Sequence, residues 1–254
     1  MVHNVKVLGF GDNVVDIYEN TNVMYPGGNC VNLSVYSKLF GVKRSAYMGY
    51  FGNDNIAEYI IKVLENIGIE MFKCEQLIGE NGWSKCTLNN GDRIFGDYNQ
   101  CGVRQLQKMK EAGIKVSFDF SDDSTIEYYK KYAPFVTYAF CSFDGDDEKA
   151  KEHLKFVYSL GPEIVSVTRG VKGCIMYDGE RFYTQPAKVV DNVVDTLGAG
   201  DAFLTIFMDS YIDGLHNGVD KQNAIMKALD EAAEFSAKVC QMNGAFGYGT
   251  PYLN

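Results

Sequence analysis

The chain has 254 residues, 46% of them hydrophobic, and a formal net charge of −9. A chain of this size buries one large core, and an acidic balance without a basic block excludes nucleic acid and anionic membrane surfaces as expected partners, leaving a small soluble substrate. Seven cysteines, odd in number and without a CxxC pair, suit neither a disulfide framework nor a zinc site. With no charged leader and no apolar run long enough to cross a bilayer, the expected location is cytoplasmic.

In chain order, "VKVLGF" (5 to 10) has the composition of a buried strand, and "GDNVVDIY" follows it. Gly27 and Gly28 then form a turn before a helical stretch that Asn29 is placed to cap. "IEMFKCEQL" (69 to 77) and the two strand-like runs around Asn90 and Gly91 in "GWSKCTLNNGDRIFGDY" predict a small antiparallel sheet set apart from the core and usable as a lid. Period-two alternation along its second run turns residues 93, 95 and 97 to one face and 94, 96 and 98 to the other. "KVSFDF" (115 to 120), "FVTYAF" (135 to 140) and "EIVSVT" (163 to 168) predict parallel strands separated by helices, as in "DEKAKEHLKFVYSL". A last helix, roughly Lys221 to Met242, carries Ala224, Ile225, Ala228, Leu229, Ala232, Phe235 and Val239 on one face. The alternation of strand and helix is a doubly wound α/β pattern in a single domain.

The stretch "VVDTLGAGDAFLTIFM" (193 to 208) is chemically the most informative. Gly198 and Gly200 let a ligand approach the main chain, and the apolar positions from Ala202 predict a buried helix whose N-terminal N–H groups and dipole favour an anion. Asp201 places a carboxylate in that same first turn. An acidic residue there is a common capping device, and it is equally what a general base beside a phosphate site requires. Other nucleotide signatures fail: the third glycine of a dinucleotide fingerprint is replaced by Val14 or Phe203, there is no GxxxxGK[ST] loop and no GxSxG elbow, and His3, His153 and His216 lack ligand spacing.

Four stretches in order, "GDNVVDIY", "YPGGNCVNLSVYSKLFG", "VSVTRGVKGCIMYDG" and "DTLGAGDAF", resemble the ribokinase-like carbohydrate kinases, the PfkB family. "GDNVVDIY", "PGGNCVNLSVY", "NGDRIFGDY" and "FDFSD" are similar in particular to the branch that phosphorylates fructoselysine and related fructosamines on the 6-hydroxyl. The resemblance implies a ribokinase-like, doubly wound, mostly parallel sheet flanked by helices, in one domain over 1–254, with a β lid from segments near 11–26 and 69–98. It implies an ATP- and Mg²⁺-dependent sugar kinase, with fructose, ribose or a nucleoside as alternative acceptors and a non-catalytic sugar-binding regulator as the reading from another class. It further implies Asp201 as catalytic base and Gly198, Ala199 and Gly200 as anion hole. Asp12, Asp16, Gly27, Gly28 and Asn32 fall to the sugar, with Arg93 and Phe95 of the lid closing over it and the acidic pair Asp119 and Asp122 available to an amino-acid arm. Thr168, Gly170, Gly173 and Asn243 fall to ATP, with Arg169 as a further phosphate contact. At the family's magnesium motif Ser142 stands where Asn is expected, which leaves Asp146 and Glu148 to reach the metal through water. A homodimer through the lid is an expected partner arrangement. The family also places one more strand between the lid and the helix in "RQLQKMKEAG", so residues are expected to be absent from the numbering near Gln100 and Cys101.

Overall fold

The computed structural model describes residues 3–89, 92–99, 106–121 and 125–252, with the side chains of 88–100 and of 107 left out. Along the first stretch run β1 (His3–Phe10), β2 (Val14–Tyr18), β3 (Val23–Gly27), α1 (Asn29–Phe40), β4 (Val42–Met48), β5 (Tyr50–Phe51), α2 (Asn55–Ile67), β6 (Glu70–Met71), β7 (Glu75–Gln76), β8 (Gly82–Asn89) and β9 (Asp92–Asn99). The middle carries α3 (Leu106–Glu111), β10 (Ser117–Asp119), α4 (Ile126–Tyr132), β11 (Tyr138–Ser142), α5 (Asp147–Tyr158), β12 (Ile164–Thr168), β13 (Cys174–Tyr177) and β14 (Phe182–Gln185). The chain ends with α6 (Ala199–His216), α7 (Lys221–Val239) and β15 (Thr250–Pro251).

These elements fall into two compact units, one made of Met1–Val103 with Val190–Asn254 and the other of Arg104–Val189. In the first, β1, β4 and β6 form a parallel sheet and β15-β3-β2-β8-β9 a mixed one, in which β2 runs parallel to β8 and antiparallel to β3. The mixed sheet holds most of the segments expected to form a small separate sheet, with two corrections. "IEMFKCEQL" does not belong to it: β6 pairs with β4 and β7 with β5, because both continue parallel crossovers from α2. Simple alternation also fails along β9, where Ser84 opposes Tyr98 and Cys86 opposes Phe95, a bulge that puts Tyr98 in register with the row of Phe95 and Arg93.

In the second unit β10-β11-β12 are parallel and β12-β13-β14 antiparallel. Their apolar residues pack with α5 and α4 into a core of Phe120, Tyr129, Leu154, Val165, Val167 and Ile175. Among the described residues the two all-parallel runs of three strands, β1-β4-β6 and β10-β11-β12, thus lie in separate sheets, and no strand stands between Asn99 and Ser117. Gln100, Cys101, Asn90 and Gly91 are outside the described residues.

The first unit's core lies around α6, which is buried continuously from Ala202 to Tyr211, and α7 covers it with the predicted face of Ala224, Ile225, Ala228, Leu229 and Ala232. Each fully buried Ile or Leu on this interface is worth about 1.5–3 kcal/mol of transfer free energy. Asp209 is an exception to the apolar lining: it is 2% exposed, and its Oδ2 has no hydrogen-bond partner among the described residues.

Burial pushes the Asp209 carboxyl up to about 7 from its ordinary 3.8, with the neighbouring Ser37 opposing the shift and Asp213 adding to it. Between those two values the folded chain holds a proton that the unfolded chain has released, so stability falls as pH rises through the window and the loss is complete above it. Asp209→Asn removes this penalty. In urea unfolding followed against pH, the mutant's advantage is small near pH 4 and grows to on the order of a few kcal/mol by pH 8.

Candidate active site

In the first unit two helix N-termini are built on glycines rather than on capping side chains. Gly28 is the N-cap of α1, at φ 99°, and its helix receives its oxygen atoms from outside: the Asn29 and Cys30 N–H groups donate to Asp12 Oδ2 and Oδ1 at 3.1 and 3.4 Å. Asn29, expected to cap this helix, is its first residue instead. Asp12 is therefore occupied by the helix it begins beneath. Burial pushes the nearby Cys30 thiol well above its ordinary range, with the negative charge of Asp12 adding to the effect, so Cys30 is a packing residue rather than a nucleophile.

The second glycine-capped helix is α6. Gly198 adopts φ 74°, and a Cβ there would lie 2.1 Å from the Tyr36 hydroxyl, so both the turn and the space require glycine. The Ala199 N–H is spent on Thr196 O at 3.2 Å, and Ser236 Oγ holds Ala199 O at 2.8 Å. The Gly200 N–H follows in the first turn, where no intrahelical acceptor exists, and a Cβ on Gly200 would meet nothing within 4 Å. Of the three expected anion-hole residues, Gly200 thus combines a donor with open space, whereas Gly198 and Ala199 shape the turn.

Asp201 is the third residue of that helix. Its Oδ2 accepts from Asn32 Nδ2 of α1 at 2.8 Å, a contact that no local pattern encodes because 169 positions separate the two. Asn32 is 3% exposed, and its Oδ1 has no partner among the described residues. Beside it, Gly27 lets the Asp16 carboxylate lie against the main chain, since a Cβ at Gly27 would be 2.4 Å from Asp16 Oδ2 and 4.0 Å from Asn32 Oδ1. Asp16, Gly27, Asn32 and Asp201 therefore converge, as expected for a pocket that handles hydroxyl groups. Asn243, Gly244 and Ala245 complete this unit: Gly244 N–H donates to Asp195 Oδ2 at 2.9 Å and Ala245 O accepts from Tyr36 at 2.7 Å. Arg93 and Phe95 are placed by register only, their side chains being outside the described residues.

In the second unit Thr168 ends β12, and Gly170 and Gly173, at φ 52° and 85°, form the tight turn to β13. Arg169 is not left to a phosphate: its guanidinium pairs with Asp147 at 2.6 Å and its side chain is 5% exposed. Asp146 caps α5 by accepting from Lys149 N–H at 2.9 Å, and Glu148 pairs with Lys151 at 2.8 Å on the surface. Among the described residues no group of three acidic, histidine or cysteine side chains could hold a metal ion. Asp119 accepts from the Ser121 N–H at 2.9 Å in a turn of its own, and Asp122 is outside the described residues.

Comparison with known proteins agrees with this geometry. The family pattern of the pfkB family carbohydrate kinases matches residues 100–246. The chain is 35% identical, over 98% of its length and 95% of the relative's, to Fructosamine kinase FrlD of Bacillus subtilis. This chain belongs to the pfkB family of carbohydrate kinases. It is also 27% identical to Fructoselysine 6-kinase of Escherichia coli, over 93% of this chain and 97% of the relative. Among solved structures, ribokinase from Giardia lamblia superposes with a TM-score of 0.81 over 95% of each chain at 14% identity, which establishes the ribokinase-like fold. The kinase is thus an ATP-dependent carbohydrate kinase. The match to the Bacillus relative runs over 280 positions although this kinase has 254 residues, so the relative carries residues that this chain lacks.

The two glycines of the α6 turn separate by stability. Gly198→Ala loses about 1–2 kcal/mol from its left-handed backbone alone, and more from the contact with Tyr36. Gly200→Ala, in a helical position with open space, keeps or slightly raises the thermal midpoint, because Ala is favoured over Gly there by up to about 1 kcal/mol. Thermal unfolding of the two variants against the wild type checks the order.

Proposed function

We propose that this kinase transfers the γ-phosphoryl group of ATP to the 6-hydroxyl of a fructosamine, with Asp201 as the general base. One observation carries the chemistry: Asn32 holds the Asp201 carboxylate with its amide nitrogen while its own Oδ1 is buried without a partner among the described residues. A buried acceptor of this kind costs stability unless a donor arrives, and a sugar hydroxyl supplies one beside the carboxylate. As the attacking oxygen bonds to the γ-phosphorus, its proton passes to Asp201, the bond to the leaving ADP oxygen breaks, and the Gly200 N–H at the positive end of α6 stabilises charge on the transferring group. Asp16 and the main chain at Gly27 orient the ring.

Thr168 offers a hydroxyl to the nucleotide, and Gly170 and Gly173 give the turn its close main-chain approach, the Gly173 N–H itself being donated to Gly170 O at 2.9 Å. Asp146 and Glu148 do not fit a metal site, since one caps α5 and the other is paired with Lys151. Mg²⁺ keeps most of its waters and binds through phosphates with few protein oxygens, so it is taken to arrive with the nucleotide. The fructosamine reading rests on the two relatives, which are named for fructosamine and fructoselysine. A nucleotide-rich, reducing compartment suits this reading, since no disulfide joins the described cysteines.

Asp201→Asn keeps the fold and ATP binding and lowers kcat on the order of a hundredfold or more; near-normal turnover removes Asp201 from the base role. For the acceptor, kcat/KM is compared for fructoselysine, fructose and ribose at equal ATP and Mg²⁺. Binding energy from the amino-acid arm raises the value for fructoselysine. Preference for a free sugar moves the substrate assignment and leaves the kinase chemistry in place, and ligand binding without ADP formation indicates a regulator.

A further inference from the structure

Asp195 lies six residues before the proposed base and is 1% exposed. A carboxylate taken this far out of water needs donors on both oxygens. Oδ1 accepts the Leu197 N–H at 2.9 Å, at the start of the α6 turn. Oδ2 accepts the Gly244 N–H at 2.9 Å, from the Asn243–Ala245 segment, and the Tyr18 hydroxyl at 2.5 Å. Two of the three donors are main chain; the third is a side chain brought in from the lid.

Tyr18 is the last residue of β2, 2% exposed, and stands two positions after Asp16 on the same face of the strand. Tyr25 of β3 meets it edge to face at 5.1 Å and packs under Gly244, where a Cβ would lie 2.5 Å from the ring. Burial, with the Asp195 carboxylate adding to it, pushes the Tyr18 phenol far above its ordinary range, so the hydroxyl keeps its proton and remains a donor throughout the working pH range. A phenol O–H donating to a carboxylate is a charge-assisted bond, stronger than one between neutral groups.

We propose that Tyr18 is a positioning residue for phosphoryl transfer: through Asp195 it sets the lid strand β2 in register with both the anion-hole turn and the Asn243–Ala245 segment. The inference rests on the reading of the α6 turn as the anion site. A sugar engaging Asp16 acts on the strand that ends in Tyr18, and the same carboxylate that receives Tyr18 fixes Leu197 and Gly244. Engagement of the acceptor and order in the phosphate turn are thereby linked through one buried anion. Without the hydroxyl Asp195 keeps its two main-chain donors, and the turn loses its tie to the lid.

The test uses the full chain with Tyr18→Phe, Asp195→Asn and the double variant. Without ligands, residue-resolved amide exchange in Tyr18→Phe speeds up about tenfold or more at Leu197 and Gly244 while the Ala228 amide of α7 is unchanged. With ATP and fructoselysine, kcat falls about tenfold with the sugar KM within about twofold, and adding Tyr18→Phe to Asp195→Asn changes kcat by less than about twofold, because the two act as a unit. A uniform rise in exchange across the unit with kcat kept, or additive losses in the double variant, overturns the proposal. Should Asp195→Asn not fold, the exchange pattern of Tyr18→Phe decides alone. Absence of transfer to any sugar by the wild type counts against the proposed function, while the exchange pattern still reads the link between Tyr18 and the turn.

Discussion

The site depends on two helices that do not cap themselves. α2, α4, α5 and α7 start at Asp54, Thr125, Asp146 and Asp220, and each of these side chains accepts an N–H of its own first turn. α1 and α6 start instead at Gly28 and Gly198, which have no side chain to offer. Their first-turn donors must find oxygen elsewhere. At α1 the chain itself supplies it through Asp12, which fixes the start of the helix that carries Asn32. At α6 the turn is held from behind by Asp195, Ser236 and Tyr36, which leaves the side at Gly200 for a ligand anion. The dipole of an 18-residue helix is thus kept for chemistry rather than for self-satisfaction.

The same logic explains how one unit of an acidic chain tolerates so many carboxylates near each other. Asp12 is neutralised in effect by main-chain N–H groups, Asp195 by three donors and Asp201 by Asn32. Each acid has a different set of partners: Asp12 and Asp195 are held by main-chain N–H groups, with Tyr18 added at Asp195, whereas Asp201 accepts from the Asn32 amide.

Much of this was legible from the residues. Strand and helix periodicity located β1, β12, α5 and α7 to within a few positions, since buried parallel strands and amphipathic helices leave strong patterns. Gly198 and Gly200 marked the start of the buried helix α6, because a left-handed turn ahead of an apolar run is a local pattern. Less was legible where long-range pairing decides. The partners of Tyr18 and Asn32 lie 177 and 169 residues away, and no local pattern encodes them. Short strands such as β6 and β7 take their sheet from the crossover that delivers them, so composition placed them wrongly in the lid. The bulge opposite Cys86 reset the row of Tyr98 for the same reason, because register follows pairing rather than alternation. Acidic residues at Asp146 and Glu148 looked like metal ligands and proved to be a helix cap and a surface pair, which have the same composition.

The division of the chain also bears on how it comes to be folded. The unit Arg104–Val189 is one continuous stretch built from neighbouring strands and helices, whereas the other unit is closed only by pieces from opposite ends of the chain. His3 meets Asp213 across 210 positions, and β15 seals the lid sheet against β3. Contacts of long sequence separation carry a loop-closure cost before they return any stability, so the inner unit is placed to form while the polypeptide is still emerging from the ribosome. The α6 turn and its buried carboxylate are synthesised after that inner unit. Nascent chains stopped before α6 therefore hold β1 and α1 without the helix they pack on, and the first unit closes only after the inner one has been made.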